Sequence, residues 1–89
     1  MNPVEAAKWM LGEFEKSGGY LDQDVVVYEM QRLFGDDSVY DNEAGNLAIN
    51  RAVLKEFRRL TETTVVWERS ERAWRRRAPY DEPGKRQVE

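Results

Sequence analysis

The sequence predicts an α+β fold in which three amphipathic helices precede a two-stranded C-terminal hairpin. Apolar residues recur at helical spacing in three segments, and each segment follows a side chain that can cap a helix. A run rich in β-branched and aromatic residues then begins at Thr63, and a second short run follows the polar centre Ser70-Glu71. A chain of 89 residues has room for one domain of this kind.

The first helix is predicted to begin after Asn2, which can act as its cap. Pro3 suits the first helical position, and Glu5 stands three residues beyond the cap, as in a capping box. Gly18 and Gly19 are expected to end the helix. Its buried face is predicted from residues at helical spacing, namely Ala6, Ala7, Met10, Leu11 and Phe14.

The second helix is predicted to follow Asp22 and to end at Gly35. The three valines at 25–27 are β-branched and would favour a strand by themselves. The cap and the continuation EMQRLFG favour a helix instead. Its inner face is predicted to consist of the apolar residues Val25, Val26, Met30, Leu33 and Phe34.

A short extended region and a third helix follow. Residues 39–40 and 47–49 are predicted as strand pieces on either side of the turn sequence DNEAGN. Asn50 is expected to cap a helix over residues 51–62. The inward residues of this helix are predicted to be Val53, Leu54, Phe57 and Leu60.

The hairpin is predicted to pair residues 63–69 with residues 72–78. Its turn is centred on Ser70-Glu71, or is a longer loop over the sequence RSER. In this register Trp67 faces Trp74. We interpret both as core residues, because a small domain needs its large aromatic side chains there. Stacking on exposed bases is the alternative for the two tryptophans.

Arg76 is predicted to share the face of the two tryptophans. A charged group there must reach solvent at the end of the sheet or pair with a carboxylate. Asp81 and Glu82 are the carboxylates close to it in sequence.

The order of these elements is that of a winged helix-turn-helix, with the hairpin as the wing. We therefore predict one winged-helix-like domain over residues 1–78. Residues 79–89 are rich in proline, glycine and charge, and we predict a flexible C-terminal tail there.

Composition argues against several classes of function. The chain has no cysteine and no histidine, so it lacks the usual zinc ligands and the commonest general base. The acidic segment DDSVYDNEAGN does not match a calcium loop, because a start at Asp41 places Ala52 where the closing glutamate belongs. No apolar run approaches the roughly 18 residues of a membrane span. We expect a cytoplasmic protein that is not an enzyme, with no cofactor and no metal.

The charges are divided unevenly along the chain, whose net charge is −3. Residues 1–45 carry −7, and residues 46–89 carry +4. The third helix and the wing hold the basic residues that we take as candidates for binding double-stranded DNA: Arg51, Lys55, Arg58, Arg59, Arg69, Arg72, Arg75 and Arg77.

Two other interpretations remain open. A protein-interaction or self-association module would bring the acidic first half of one molecule to the basic second half of another. A small-molecule sensor would need a pocket lined by Trp9, Tyr20 or Tyr28. The acidic overall charge counts against a dedicated DNA-binding protein.

Three segments also resemble a small bacterial family catalogued as a domain of unknown function. They are GYLDQDVVVYEM, YDNEAGNLAINRAVLKEFRRLTETTVVWERSERAWRRR and PYDEPGKRQ, and the specific part is the framework GNLAI…VLKEFR…VWER…W. The resemblance extends from about Gly19 to Gln87. It implies a winged-helix-like fold and a stand-alone cytoplasmic protein, of a kind expected in mobile gene cassettes. It implies no catalytic residues and no ligand.

Overall fold

The computed structural model describes residues 1–88 and has an α+β architecture with three helices. The helices are α1 (Pro3–Lys16), α2 (Gln23–Phe34) and α3 (Arg51–Leu60). The strands are β1 (Tyr20–Asp22), β2 (Val39–Asp41), β3 (Leu47–Ile49), β4 (Val65–Glu68), β5 (Ala73–Arg76) and β6 (Gln87–Val88). A single 3-10 turn, Asp36–Ser38, connects α2 to β2.

All three helices begin at the caps that the sequence predicts. The Asn2 side chain accepts hydrogen bonds from the amides of Val4 and Glu5, and the side chains of Asp22 and Asn50 each accept one from an amide of α2 and α3. These caps satisfy amides that have no partner within the helix. The α3 helix ends two residues earlier than expected, at Leu60, and the Thr61 hydroxyl donates to the Phe57 carbonyl at 2.6 Å.

The buried face of α2 differs from the prediction. Val25 and Leu33 were expected to face inward, but both are exposed. Val26 and Met30 are buried as predicted, and Gln23 and Val27 are buried as well. The sequence does not show which two of the three valines face the core. Both the pair Val25 and Val26 and the pair Val26 and Val27 are compatible with a buried helix face that includes Met30. The exposure of Val25 leaves an apolar patch on the outside of α2.

The core lies where α1 and α3 pack together beneath the sheet. Its largest fully buried side chains are Phe14, Phe57, Met10 and Met30. Strands β2 and β3 form a separate hairpin between α2 and α3. The Asn50 amide donates to the Ser38 carbonyl at 2.8 Å, which ties this hairpin to the start of α3.

The main sheet has the strand order β1-β5-β4-β6. The predicted register of the hairpin is confirmed, since Trp67 pairs with Trp74 across β4 and β5. The longer loop alternative is the one observed: Arg69–Arg72 connect the strands, and Arg72 has a positive φ of 51°. Strand β1 was not predicted, and it pairs Leu21 with Trp74 on the free side of β5.

The segment expected to be a tail returns to the sheet. Strand β6 pairs in parallel with β4, with Trp67 opposite Gln87. The amides of Trp67 and Arg69 donate to the carbonyls of Arg86 and Val88 at 2.7 Å and 2.8 Å. Residues 86–88 are therefore paired with the sheet, although they lie in the segment 79–89 that is predicted to be a flexible tail.

Candidate binding surfaces

The outward face of α3 brings four of the predicted cations together. Arg51, Lys55, Arg58 and Arg59 are all exposed on this helix, opposite the buried Val53 and Phe57. The guanidinium of Arg51 lies over the Tyr40 ring, 5.6 Å from its centroid. Within residues 1–88, Lys55 forms no ion pair. Helical periodicity in the sequence was sufficient to predict this surface.

Two of these cations form ion pairs along the helix. Arg58 Nε lies 3.3 Å from Glu62 Oε2, and Arg59 Nε lies 2.8 Å from Glu56 Oε2. The arginine side chains remain 58% and 63% exposed. Ion pairs of this kind on a helix surface contribute only about 0.3–0.5 kcal/mol, so they do not prevent either arginine from binding another anion.

The arginines of the wing differ from those of α3, because the guanidinium groups of most of them contact oxygen atoms from other segments of the chain. Arg72 Nη2 lies 3.1 Å from Asp24 Oδ1 and donates to Gln23 Oε1 at 2.8 Å. Arg77 donates to the carbonyls of Glu82 and Lys85. The amide of Arg69, at the start of the loop, donates to Val88.

Arg75 is the most constrained of these arginines. Its guanidinium forms a bidentate contact with Asp81 at 2.9 Å and 3.0 Å, and its Nε donates to Glu68 at 3.1 Å. The hydrogen bonds from Arg75 and from the Ala78 amide together lower the pKa of Asp81 to about 2. The same contact with Asp81 raises the pKa of Arg75. Arg75, a candidate for DNA binding from the sequence, is thus held by two carboxylates of the protein itself.

The sequence left open whether Arg76 reaches solvent or pairs with a carboxylate such as Asp81 or Glu82. Its side chain is 54% exposed, and its Nη2 lies 3.4 Å from a different carboxylate, Glu15 Oε2 in α1. On the way its side chain crosses Gly19, whose φ of 94° and missing Cβ leave room for it. Its guanidinium lies 5.5 Å from the Phe14 ring centroid.

A groove that the sequence did not predict lies between α3 and the tip of the hairpin. We call it the tryptophan groove, and its volume is about 410 Å³. It is lined by residues from six elements and their connections: Gln23, Ala48, Ile49, Leu54, Arg58, Trp67, Arg72, Trp74, Arg86 and Gln87. The facing tryptophans were the available signal for it. Arg86 could not have been found, because its segment was predicted to be a tail.

The small-molecule pocket considered from the sequence does not form around all three of its candidate aromatics. Trp9 and Tyr20 line one depression of about 290 Å³, and Tyr28 lines another of about 400 Å³ with Asp24 and Arg72. The Trp9 ring packs edge-on against the Phe34 ring, with ring centroids 5.8 Å apart.

Residues 1–88 contain no group of three or more acidic side chains placed to hold a metal ion. Among the same residues, no helix combines the length and the apolar character needed to cross a membrane.

The fold and these surfaces define a small α+β domain with a basic third helix. Residues 2–76 match the model of a family of unknown function, DUF6953, and the chain belongs to this family. The resemblance to a family of unknown function is thus confirmed, with a match that begins earlier and ends earlier than expected. Neither the curated proteins nor the solved structures contain a match to this chain.

Proposed function

We propose that the chain is a non-enzymatic winged-helix-like domain that binds double-stranded DNA weakly through α3, beside the β4–β5 hairpin. The order of elements supports the fold. A strand between the first two helices joins the sheet of the C-terminal hairpin, in the order β1-β5-β4. In a helix-turn-helix domain the recognition helix enters the major groove, and in this proposal α3 takes that role.

The cationic face of α3 is the observation that carries this proposal. Arg51, Lys55, Arg58 and Arg59 project from successive turns, so phosphates along one groove edge can meet several of them at once. The wing contributes less, because Arg75 is held by Asp81 and Glu68 and Arg77 donates to backbone carbonyls. Weak, salt-sensitive binding without strong base specificity is the expected behaviour.

Titration of a labelled DNA duplex tests the proposal. If about four phosphates are neutralised, the logarithm of affinity should fall against the logarithm of salt concentration with a slope on the order of −3 to −4. The double variant Arg58→Ala/Arg59→Ala should bind about tenfold more weakly and show a shallower slope.

Arg32→Ala is the matched control for this titration. Arg32 is an exposed arginine on α2 that pairs with a glutamate three residues earlier, as Arg59 does. Its removal changes the net charge but leaves α3 intact, so binding should stay close to that of the unchanged protein. The absence of binding at low salt would sink the proposal, and so would equal losses in the control and in a single Arg59→Ala variant.

Self-association is a second candidate function, and the outside of α2 favours it. Val25 and Tyr28 are 66% and 63% exposed there, next to the acidic Asp24 and Glu29. An apolar patch with an acidic border could meet the basic α3 of a second copy.

Light scattering at two protein concentrations tests this candidate. An associating protein should gain mass at the higher concentration, and Val25→Glu/Tyr28→Glu should abolish the gain. A molecular mass that stays monomeric at both concentrations would rule out self-association through this patch.

The cellular setting is part of the same proposal. We propose a cytoplasmic protein carried in a mobile gene cassette. The absence of cysteine is compatible with a reducing compartment.

A further inference from the structure

The floor of the tryptophan groove is aromatic and apolar. Trp67 and Trp74 lie in contact, with ring centroids 4.6 Å apart and planes inclined at 54°. Trp74 is almost fully buried and is supported from below by Phe57 at 5.4 Å. Trp67 is partly exposed, so part of the pair remains accessible from the groove.

The rim of the groove is cationic. Three arginines line it: Arg58 from α3, Arg72 from the hairpin loop and Arg86 from the segment before β6. Of the described residues, no aspartate or glutamate lines the groove. Glu62 and Asp24 pair with Arg58 and Arg72 from outside it. The interior therefore has an apolar surface and an excess of positive charge.

Arg86 differs from the other two arginines of the rim, which each pair with a carboxylate. Its Nη1 donates to the carbonyls of Thr61 and Val65 at 2.9 Å and 2.7 Å, and its guanidinium lies 5.8 Å from the Phe57 ring centroid. Within residues 1–88 it forms no ion pair. Burial lowers its pKa, the nearby carboxylate of Glu62 opposes this shift, and the charges of Arg58 and Arg77 add to it. An anion in the groove would relieve this unfavourable arrangement.

We propose that the tryptophan groove binds a planar aromatic anion, with the ring on Trp67 and the anionic group between Arg58 and Arg86. The flat ring matches the exposed aromatic surface, and stacking on a tryptophan is favourable for many ring types. Guanidinium groups bind carboxylates and phosphates through paired hydrogen bonds. Gln23, held by Arg72 and the Leu47 carbonyl, adds a polar group at the side of the ring.

The volume limits the ligand to a small molecule. A groove of about 410 Å³ lies near the lower end of ligand sites in proteins. It suits a single ring system with one acidic group, and two sources supply this chemistry: a nucleoside monophosphate and an aromatic carboxylate. This site goes beyond the proposed DNA contact, with which it shares only Arg58 and the neighbouring hairpin loop.

Nuclear magnetic resonance of the ¹⁵N-labelled protein can test the groove with its own tryptophans. The chain has three indole N–H groups, and only those of Trp67 and Trp74 line the groove. Trp9 lies in a separate depression and serves as the internal control. The probes are two aromatic anions, adenosine 5′-monophosphate and indole-3-carboxylate. The control compounds are adenosine, which has the ring but no anionic group, and inorganic phosphate, which has the anionic group but no ring.

The expected result is a saturable shift of the Trp67 and Trp74 signals with at least one of the two aromatic anions, while Trp9 stays in place. Adenosine alone and phosphate alone should bind about tenfold more weakly or not at all. Adenosine lacks the group that contacts the arginines, and phosphate lacks the ring that stacks on Trp67. A response to the nucleotide alone identifies a nucleotide site, and a response to the carboxylate alone identifies an aromatic-acid site.

Two exposed arginines of α3 provide a matched pair of variants. Arg58→Ala removes a rim cation and should weaken binding about tenfold. Arg59→Ala removes an equally exposed cation that does not line the groove, and it should change affinity by less than about twofold. DNA binding is expected to fall in both variants, whereas binding in the groove is expected to fall only in Arg58→Ala. The DNA proposal and the groove proposal are therefore tested independently.

Several outcomes would overturn the groove proposal. They are no shift with either aromatic anion, equal shifts of all three tryptophans, adenosine binding as well as its monophosphate, and equal effects of the two arginine variants. Thermal unfolding of both variants is measured in parallel. Since both side chains are exposed, their unfolding midpoints should stay close to that of the unchanged protein.

Discussion

Arg75 and Asp81 show how a single residue outside the predicted domain determines what an arginine can do. Asp81 is 3% exposed and receives hydrogen bonds from the Arg75 guanidinium and from the Ala78 amide. The sequence places Arg75 on a solvent-facing side of the hairpin, where a free arginine would be expected. The structure covers that side with the segment after β5, and the arginine becomes part of the protein's own packing.

The Asp81 contact leads to a prediction about stability and pH. Its pKa of about 2 lies below the roughly 3.9 of an unfolded aspartate. A lowered pKa stabilises the folded state above the unfolded value, and this stabilisation is lost as pH falls through the folded value. The unfolding midpoint of Asp81→Asn should therefore lie below that of the unchanged protein at pH 7, and the difference should shrink between about pH 4 and pH 2.

Urea unfolding across this pH range measures the difference. Glu82→Gln is the control, because Glu82 is the neighbouring carboxylate and its pair with Lys85 is exposed. It should have little effect at any pH. A gap between Asp81→Asn and the unchanged protein that is the same at pH 7 and pH 2 would contradict the assigned role of the charge.

At the scale of elements, local signals were sufficient for the helices and for the central hairpin. The caps Asn2, Asp22 and Asn50 are each read from one residue and its neighbours. The Trp67–Trp74 register follows from two adjacent strands and a short loop. Strands β1 and β6 could not be predicted in this way. Each has two or three residues, and β1 pairs with a partner about fifty positions away.

Hydrogen exchange can test whether β6 is held on β4 in solution. The amides of Trp67 and Arg69 donate to the carbonyls of Arg86 and Val88, so both should exchange more than about tenfold slower than the loop amides of Ser70 and Glu71. Val66, which pairs with Arg75 in β5, provides the reference for a protected amide of the same strand.

Fast exchange of the Trp67 amide would contradict this prediction. If it exchanged at the rate of the Ser70 amide while the Val66 amide stayed protected, β6 would detach readily from β4. The original prediction of a loose tail would then hold in solution, and the tryptophan groove would lose one of its walls.

At the scale of the whole molecule, the basic residues of the second half of the sequence separate into two groups. Some share the outward face of α3, and others pair with carboxylates from distant segments. The basic face of α3 was predictable, because its residues are neighbours on one helix. The partners of Arg72, Arg75 and Arg76 were not, because they come from α2, from the segment after β5 and from α1. Ion pairs between distant segments depend on the final packing, and so does a groove built from six elements.

The position of β6 also determines whether β4 is open to pairing with another chain. The segment Thr63–Trp67 is β-branched and aromatic, the composition that promotes pairing with identical strands in aggregates. One side of β4 is paired with β5, and the last residues of the described chain cover the other side. The edge strands are therefore β6, of two residues, and β1, of three residues, which leads directly into a helix. We expect that removal of residues 85–88 would leave one side of β4 open to strand addition by another chain.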